Sequence, residues 1–345
     1  MQVSARWPGR VGKKARRGFA VECGPNGPPH DHSVWPAALR AGAGYGRQCA
    51  PVKSRYFLQL VALSALWGSS FMLTRFAAPV LGPNMVAALR MVMATLALGA
   101  IMRVLKQRWP LEHWRELAWL GLLAVAGPHV LFSWAALQMP AGYAALLYVT
   151  SVLFGAIASA WMKEEVLTGP KLLGCLVGFG GVAFVVRLGP VAVTPALVVA
   201  ALTATLGSAM SGASTPLLKR AITRMEPLAI TAGMHALASL MLLPGALYDL
   251  PRSRFTPGTL AAVALMGFAT SGVAWWMYAR LMRHVSPMAA LSSTFQITGF
   301  GVLWAVVFLD ETVGTGLWIG GALILMACAL VTGFNPLRRL GTARP

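Results

Sequence analysis

Residues 144–165, AALLYVTSVLFGAIASAWMKEE, return in altered form as residues 289–311, AALSSTFQITGFGVLWAVVFLDE. Each stretch opens with Ala-Ala-Leu, continues for about the twenty mostly apolar residues of a membrane-crossing helix, and ends at an acidic pair. A second apolar stretch follows each pair, and Glu165 and Glu311 lie 146 residues apart. This repetition predicts a chain that is built from two related halves.

The composition of the chain is that of a membrane protein. Of 345 residues, 57% are hydrophobic and only 11% are charged, whereas a soluble domain usually carries about 25% charged residues. The formal net charge of +19 could indicate a nucleic-acid-binding protein, but 10 of the 29 Lys and Arg precede residue 56 and most others flank apolar stretches. Such flanking positive charge is typical of cytoplasmic loops. We therefore expect contact with a lipid bilayer and none with nucleic acid.

Ten apolar stretches approach the length of about 20 residues that a helix needs to cross the hydrocarbon core. The connections between them are short, and many contain Pro, Gly or charged residues, so no loop could hold an extramembranous enzyme domain. The predicted spans are 57–78, 84–104, 116–137, 142–162, 170–187, 194–215, 228–247, 259–281, 287–308 and 315–334.

The two ends of the chain are predicted to be tails. Residues 1–54 combine Pro, Gly and basic residues without apolar periodicity, so we expect a disordered tail, or alternatively an upstream extension of the reading frame. Residues 336–345 form a short basic tail. The cysteines show no paired spacing, which predicts no disulfide framework, no metal site and no cofactor; they are Cys23, Cys49, Cys175 and Cys328.

Basic residues in the loops predict the orientation in the membrane. If the amino terminus is cytoplasmic, the outer loops hold only Arg187, Arg252 and Arg254, so both termini are predicted to be cytoplasmic. Residues 55–190 and 191–335 then form two five-helix repeats, and the odd number of spans makes the second repeat cross in the opposite direction. The fold predicted is therefore an all-α membrane protein with ten transmembrane helices in two inverted repeats, an architecture typical of secondary transporters.

Two segments carry a family resemblance. Residues 65–75, Ala-Leu-Trp-Gly-Ser-Ser-Phe-Met-Leu-Thr-Arg, resemble the first helix of the drug/metabolite transporter (DMT) superfamily, EamA type, and residues 90–98 resemble its second helix. The helix-ending Glu of each repeated stretch also resembles the motif of that family. The resemblance covers about residues 57–334 and implies a ten-helix carrier of small metabolites with a central cavity between its halves.

The chain departs from the family pattern in two places. Arg75 stands where the family usually has Lys, so the charge is kept but the hydrogen-bonding geometry is not. The prolines that the family has in the middle of the fourth and ninth helices are absent, which removes a common cause of a helix kink.

Polar side chains on the fourth and ninth spans are candidates for substrate contact, because polar groups inside a membrane usually face protein or water. Tyr148 and Ser151 lie three residues apart on one face of the fourth span, and Ser293 and Gln296 lie likewise on the ninth. These groups could hydrogen-bond a polar solute near the midplane. Alternatively, they hold the helices together.

The first span places Trp67, Ser70 and Thr74 on one face. Trp67 lies about ten residues into the span, which is deeper than the interfacial aromatic belt, so we expect it to line the cavity. Trp275 is a further aromatic candidate. It neighbours Trp276, and because adjacent residues point in different directions, only one of the pair is expected to face the cavity.

Three charged or titratable side chains lie inside predicted spans. Arg75 and Arg90 are placed near the outer ends of the first and second spans, where they could extend to the headgroups or attract an anionic substrate group. His129 in the third span could relay protons, or it could be a core residue with a satisfied hydrogen bond.

These observations predict a multi-pass secondary transporter of the cell inner (plasma) membrane, with no catalytic residues. We expect it to export a small polar metabolite, such as an amino acid, nucleobase or drug-like solute, by alternating access with proton coupling. The alternatives are a membrane enzyme that acts on lipid-linked substrates and a channel. The repeated acidic pairs would lie on opposite sides of a hydrocarbon core about 30 Å thick, which excludes them as an acid–base pair.

Overall fold

The computed structural model describes residues 54–162, 169–187, 194–281, 287–312 and 314–332, and the regular elements in these ranges are helices. The predicted tails lie outside these ranges apart from Ser54, as does Glu165. The helical segments are α1 (Ser54–Leu81), α2 (Pro83–Val104), α3 (Leu111–Ala135), α4 (Ala141–Trp161), α5 (Gly169–Arg187), α6 (Pro195–Arg224), α7 (Pro227–Asp249), α8 (Pro257–Leu281), α9 (Pro287–Leu309) and α10 (Thr315–Thr332).

Seven helices in the described part of the chain are long and apolar enough to cross a membrane, namely α1 to α4 and α6 to α8. The other three, α5, α9 and α10, occupy the positions of the fifth, ninth and tenth predicted spans. Many large apolar side chains face outward; Leu96, Leu202 and Trp318, for example, are 62%, 65% and 71% exposed. Such a surface would favour aggregation in water but is solvated by lipid. The prediction of an all-helical membrane protein is confirmed.

Two helices change their hydrogen-bonding pattern midway. α3 is π-helical over Gly121–Ala126, and α8 is π-helical over Leu265–Val273. Gly121 and Gly267, which lie 146 residues apart, fall in these two segments. Corresponding helices of the two halves therefore share the same irregularity, and π segments occur frequently at functional sites.

α4 is interrupted although it contains no proline. Its first part ends at Tyr148 and its second part begins at Ser151, with a turn at Val149 and Thr150. The Thr150 hydroxyl donates to the carbonyl oxygen of Leu147 at 2.7 Å. A hydroxyl group that bonds to a carbonyl of the preceding turn competes with the helical hydrogen bonds, and the helix is interrupted here without the proline of the family.

Each helix of the first half corresponds to the helix five places later in the second half, so that α1 corresponds to α6 and α4 to α9. Corresponding helices make corresponding contacts. α1 packs against α9 as α6 packs against α4, and α2 packs against α8 as α7 packs against α3. Three further contacts map onto themselves, since α5 packs against α10, α2 against α7 and α4 against α9. The packing therefore has the two-fold pattern that a duplicated chain predicts.

Two corresponding helix crossings depend on glycine. A Cβ atom on Gly68 of α1 would lie 2.8 Å from the backbone nitrogen of Gly301 on α9. A Cβ atom on Gly155 of α4 would lie 3.4 Å from the carbonyl oxygen of Gly212 on α6. The missing side chains let the backbones approach closely, as small residues do in other membrane bundles.

Two carboxylates bind the first turns of other helices. Glu311, which follows α9, accepts hydrogen bonds from the first two backbone N–H groups of α4 at 2.7 and 2.9 Å. Asp249, the last residue of α7, accepts from the backbone N–H groups of Asn84 and Met85 in α2 at 2.8 and 3.3 Å. A carboxylate at a helix N-terminus satisfies unpaired N–H groups and interacts favourably with the helix dipole. Each carboxylate thereby joins one half of the molecule to the other.

Candidate functional site

The guanidinium of Arg90, on α2, is buried among hydroxyl groups. The side chain is 5% exposed, and its Nε donates to the Ser271 hydroxyl at 2.5 Å. Its Nη2 donates to the hydroxyls of Thr270 and Ser70 at 2.9 and 3.2 Å. No carboxylate among the described residues forms an ion pair with it. The burial of the guanidinium among hydroxyl groups favours a role inside the helix bundle over extension to the headgroups, and the function of Arg90 stays a prediction.

The hydroxyl groups around Arg90 come from both halves of the molecule. Ser70 lies on α1, whereas Thr270 and Ser271 lie in the π-helical segment of α8. The Thr270 hydroxyl donates to the backbone carbonyl of Met266 at 2.7 Å and accepts from both Arg90 and Ser70. We call Arg90, Ser70, Thr270 and Ser271 the guanidinium cluster.

Three aromatic side chains lie beside the guanidinium cluster and are called the Trp67 group. The ring centres of Trp67, Trp275 and Tyr278 are 5.0 to 6.1 Å apart with edge-to-face geometry. The Trp67 indole N–H donates to the backbone carbonyl of Thr270 at 2.8 Å. This bond fixes the aromatic group against the residue that also binds Arg90.

The structure separates the two adjacent tryptophans of α8. Trp275 belongs to the Trp67 group, and its ring centre lies 6.2 Å from that of His235 on α7. Trp276 packs against a different apolar cluster, and the Arg280 guanidinium lies 5.3 Å from its ring centre. Only Trp275 is therefore positioned beside Arg90 and its hydroxyl ligands.

A second set of aromatic side chains, called the Tyr148 group, joins α1, α3 and α4. The ring centres of Phe71, Phe132 and Tyr148 are 5.5 to 5.9 Å apart. Ser70, which binds Arg90, lies between Trp67 and Phe71 in the sequence. α1 therefore carries one residue of the guanidinium cluster and one residue of each aromatic group.

Two histidines bind their own helices through Nδ1. His129 on α3 bonds to the carbonyl of Val125 at 2.6 Å, and His235 on α7 bonds to the carbonyl of Thr231 at 2.7 Å. A carbonyl oxygen only accepts, so in the neutral ring Nδ1 carries the proton and Nε2 has a free lone pair. Both rings are within electrostatic range of Arg90. Nε2 of His235 is buried and lacks a hydrogen-bond partner in the described part of the chain.

The remaining hydroxyl candidates lie at helix contacts. Thr74 is 7% exposed, and its hydroxyl donates to the sulfur of Met266 at 3.5 Å. Ser151 is 8% exposed at the start of the second part of α4. Ser293 is 2% exposed, and its backbone carbonyl accepts from the Ser64 hydroxyl at 3.3 Å. These contacts agree with helix packing, and a substrate role for the three residues stays a prediction.

Gln296 and Arg75 differ in whether their polar atoms have hydrogen-bond partners in the described part of the chain. Gln296 on α9 has a buried Oε1 atom without a hydrogen-bond partner among the described residues, so it stays a candidate for a polar contact. Arg75 donates through Nη1 to the backbone carbonyl of Ala136 and so joins α1 to the end of α3. This contact agrees with packing between helices, and a role of Arg75 at the headgroups or toward an anionic substrate group stays a prediction.

Sequence comparison identifies relatives for almost the whole helical region. The model of the EamA-like transporter family matches residues 55–187 and 198–333. "Uncharacterized transporter YvbV" of Bacillus subtilis is 24% identical over 292 residues, which are 81% of this chain and 92% of the relative. "Probable terminal-alkyne amino-acid exporter" of Streptantibioticus cattleyicolor is 25% identical over 294 residues, which are 83% of this chain and 96% of the relative.

The fold also resembles that of a protein of known crystal structure. The two structures superpose with a TM-score of 0.60 at 20% sequence identity, over 81% of this chain and 98% of the other. At this level of identity the similarity establishes a shared fold and carries no information on the substrate.

Proposed function

Because the chain belongs to the EamA-like transporter family of the DMT superfamily, we propose that it is a secondary transporter of a small polar metabolite in the cell inner membrane. Members of this family are transporters and not enzymes, which removes the alternative of a membrane enzyme. We propose ten transmembrane helices in two inverted repeats with both termini in the cytoplasm. The seven span-length helices and the two-fold packing pattern support this topology.

The observation that carries the proposal is the position of the guanidinium cluster. Arg90 belongs to the first five helices, and its ligands Thr270 and Ser271 belong to the last five. A solute bound beside these residues would contact both halves at once. If the halves rock against each other, the same site opens first to one side of the membrane and then to the other, which is alternating access.

The contacts of Glu311 and Asp249 provide a means of closing one end of this pathway. Each carboxylate of the second half binds the first turn of a helix of the first half. We propose that both contacts lie on the outer side, hold it closed when the site faces the cytoplasm, and separate when the site opens outward. Ligand binding drives such a change only when the ligand binds the two states with different affinities.

Export and proton coupling complete the proposal. A relative that shares 25% of its residues with this chain is named as an amino-acid exporter, which supports outward transport. His129 is the candidate for relaying the coupling protons, because imidazole can both bind and release a proton. Collapse of the proton gradient with an uncoupler should then stop efflux from loaded cells.

The matched pair Trp275 and Trp276 tests the location of the site in cells. Cells that produce the protein are loaded with a labelled amino acid, either 2-aminopent-4-ynoate, which has a terminal alkyne like the solute named for that relative, or L-phenylalanine. Efflux is followed over a range of internal concentrations. We expect saturable efflux that is reduced at least severalfold by Trp275→Ala and unchanged by Trp276→Ala at equal protein level. Efflux that rises linearly with concentration would favour a channel, and equal effects of the two substitutions would refute the proposed site.

A further inference from the structure

We propose that Arg90 and His235 recognise two polar groups of the substrate, which is a solute with an anionic group and an N–H donor. Arg90 would bind the anionic group, and Nε2 of His235 would accept a hydrogen bond from the donor. The inference rests on the proposed function, because it names the chemistry of the solute at the same site. A zwitterionic α-amino acid has the required pattern of groups.

The charge of Arg90 is not balanced by a carboxylate in the described part of the chain. Burial of a cation is unfavourable unless a counter-charge or hydrogen bonds compensate for the lost hydration. In the described part of the chain, three hydroxyl groups bind Nε and Nη2, and no carboxylate contacts the guanidinium. A substrate carboxylate would supply the counter-charge that these residues do not.

One edge of the guanidinium is also weakly bonded. Nη1 carries two N–H donors, and its recorded contact is with the sulfur of Met266 at 3.9 Å. A thioether is a poor acceptor, whereas a carboxylate forms short charge-assisted hydrogen bonds with guanidinium. The Nη1 edge is therefore the part of Arg90 that we assign to the substrate.

The side chain of His235 indicates an N–H donor on the substrate. It is 0% exposed, and Nε2 lacks a partner among the described residues. Because Nδ1 donates to the Thr231 carbonyl, the neutral ring presents an acceptor at Nε2. A buried acceptor without a donor is unfavourable, because it has lost its hydrogen bonds to water. An ammonium or amide N–H of the substrate would supply the missing hydrogen bond.

The Trp67 group lies between the contacts of the two residues, since it reaches Arg90 through Thr270 and His235 through Trp275. Arg90 bonds to the Thr270 hydroxyl, and the carbonyl of Thr270 accepts from Trp67. The ring of Trp67 contacts that of Trp275 at 5.8 Å, and Trp275 lies 6.2 Å from His235. α2, which carries Arg90, packs along α7, which carries His235. The aromatic faces between them would bind the apolar body of the solute.

Matched ligands test the inference on the unmodified protein. The purified protein in lipid nanodiscs is titrated calorimetrically with L-phenylalanine, L-phenylalaninamide and 3-phenylpropanoate, and with the corresponding compounds of 2-aminopent-4-ynoate. We expect the amino acid of at least one series to bind about tenfold more tightly than its amide or its deaminated acid, which corresponds to one charge-assisted hydrogen bond each. Equal affinities within each series, or no binding of either series at millimolar concentration, would overturn the inference.

Variants then assign each preference to its residue. Arg90→Gln should remove the preference for the amino acid over its amide and keep the preference for the amino acid over its deaminated acid. His235→Leu should keep the first preference and remove the second. Arg103→Gln, an exposed position on the same helix, is the matched control and should change neither. A folded Arg90→Gln variant that keeps the acid preference would contradict the assignment. If Arg90→Gln does not fold or binds nothing, the ligand series on the unmodified protein and the charge-retaining Arg90→Lys variant decide.

Binding and flux separate this inference from the proposed function. If the amino acid binds with the expected preferences but no flux occurs in proteoliposomes, transport is refuted and recognition stands. If the protein transports neutral solutes and ignores carboxylates, recognition by Arg90 is refuted and transport stands.

Discussion

The guanidinium of Arg90 is held by hydroxyl groups, and each of these should contribute to stability. Ser271 is 0% exposed and accepts from Nε, so Ser271→Ala leaves a buried charged donor without its acceptor. The expected cost is about 1–3 kcal/mol of unfolding free energy, measurable as a lower melting temperature in nanodiscs. Thr203→Ala removes an exposed hydroxyl that bonds to its own helix and serves as the control. Equal melting of the two variants would show that Ser271 does not hold Arg90.

Sequence alone located part of the site. The sequence indicated Trp67, Ser70 and Arg90 as candidates, because polar and aromatic residues deep in apolar spans are rare. Thr270 and Ser271 form a polar pair within the apolar eighth span, yet nothing along the chain indicates that this pair meets the second span. That pairing depends on tertiary packing and on the π-helical segment of α8, which local sequence does not specify.

His235 was missed for a related reason. It shares the seventh predicted span with Thr231 and Ser239, and polar residues of this kind commonly form hydrogen bonds between helices without further function. The orphaned Nε2 atom of His235 distinguishes it only when its neighbours are known. Gln296 and Ser293 were selected by their spacing, and their role as substrate contacts stays a prediction.

At the scale of helices, the α1–α9 crossing should be sensitive to a single methyl group. A Cβ atom on Gly68 would lie 2.8 Å from backbone and side-chain atoms of α9, so Gly68→Ala must separate the helices. Overpacking of this kind costs about 1–3 kcal/mol, and we expect a lower melting temperature and reduced transport. Gly299→Ala on α9 meets no atom within 4 Å and should behave like the unmodified protein. A stable, active Gly68→Ala variant would contradict the close crossing.

The contact between Glu311 and α4 makes a second prediction at this scale. Glu311→Gln removes the negative charge and one acceptor from the first turn of α4, which should cost about 1 kcal/mol, as loss of an N-terminal cap does. Hydrogen exchange of the peptide around residues 139–147 should become faster. Asp310→Asn is a matched control, because Asp310 is exposed and has a φ of 52° that Asn tolerates. Unchanged exchange in Glu311→Gln would refute the capping role.

The lengths of the apolar stretches predicted the positions of the helices, but they did not predict the irregularities within the helices. Each described helix overlaps one predicted span, because burial in lipid requires continuous apolar stretches. No sequence pattern indicated the π-helical segments of α3 and α8, although Gly121 and Gly267 occupy corresponding positions in the two segments. The interruption of α4 was also missed, since no proline marks it and the Thr150 hydroxyl bonds within its own helix.

For the whole molecule, the distribution of basic residues makes a direct prediction of orientation. A reporter fused after Phe334 should show activity characteristic of the cytoplasm, because nearly all Lys and Arg of the loops then face inward. A reporter in the short α7–α8 connection, which contains Arg252 and Arg254, should report the opposite side. Periplasmic activity of the first fusion would reverse the proposed orientation.

The duplicated architecture was the most predictable property of the whole molecule. Two stretches separated by 146 residues indicated it, and the family matches at residues 55–187 and 198–333 agree with two repeats. Span counting and charge bias also predicted a membrane transporter. The chemistry of the solute was less accessible, because it depends on how the two halves bring Arg90 and the Trp67 group together.

If this chain is a carrier with one binding site between its halves, proteoliposomes that contain it should show solute counterflow. Proteoliposomes with the purified protein are preloaded with unlabelled L-phenylalanine or 2-aminopent-4-ynoate and then given the same compound in labelled form outside. We predict transient accumulation of label that saturates with concentration, is lost in Trp275→Ala and persists in Trp276→Ala. Label that only equilibrates, or accumulation that is unaffected by Trp275→Ala, would contradict the account.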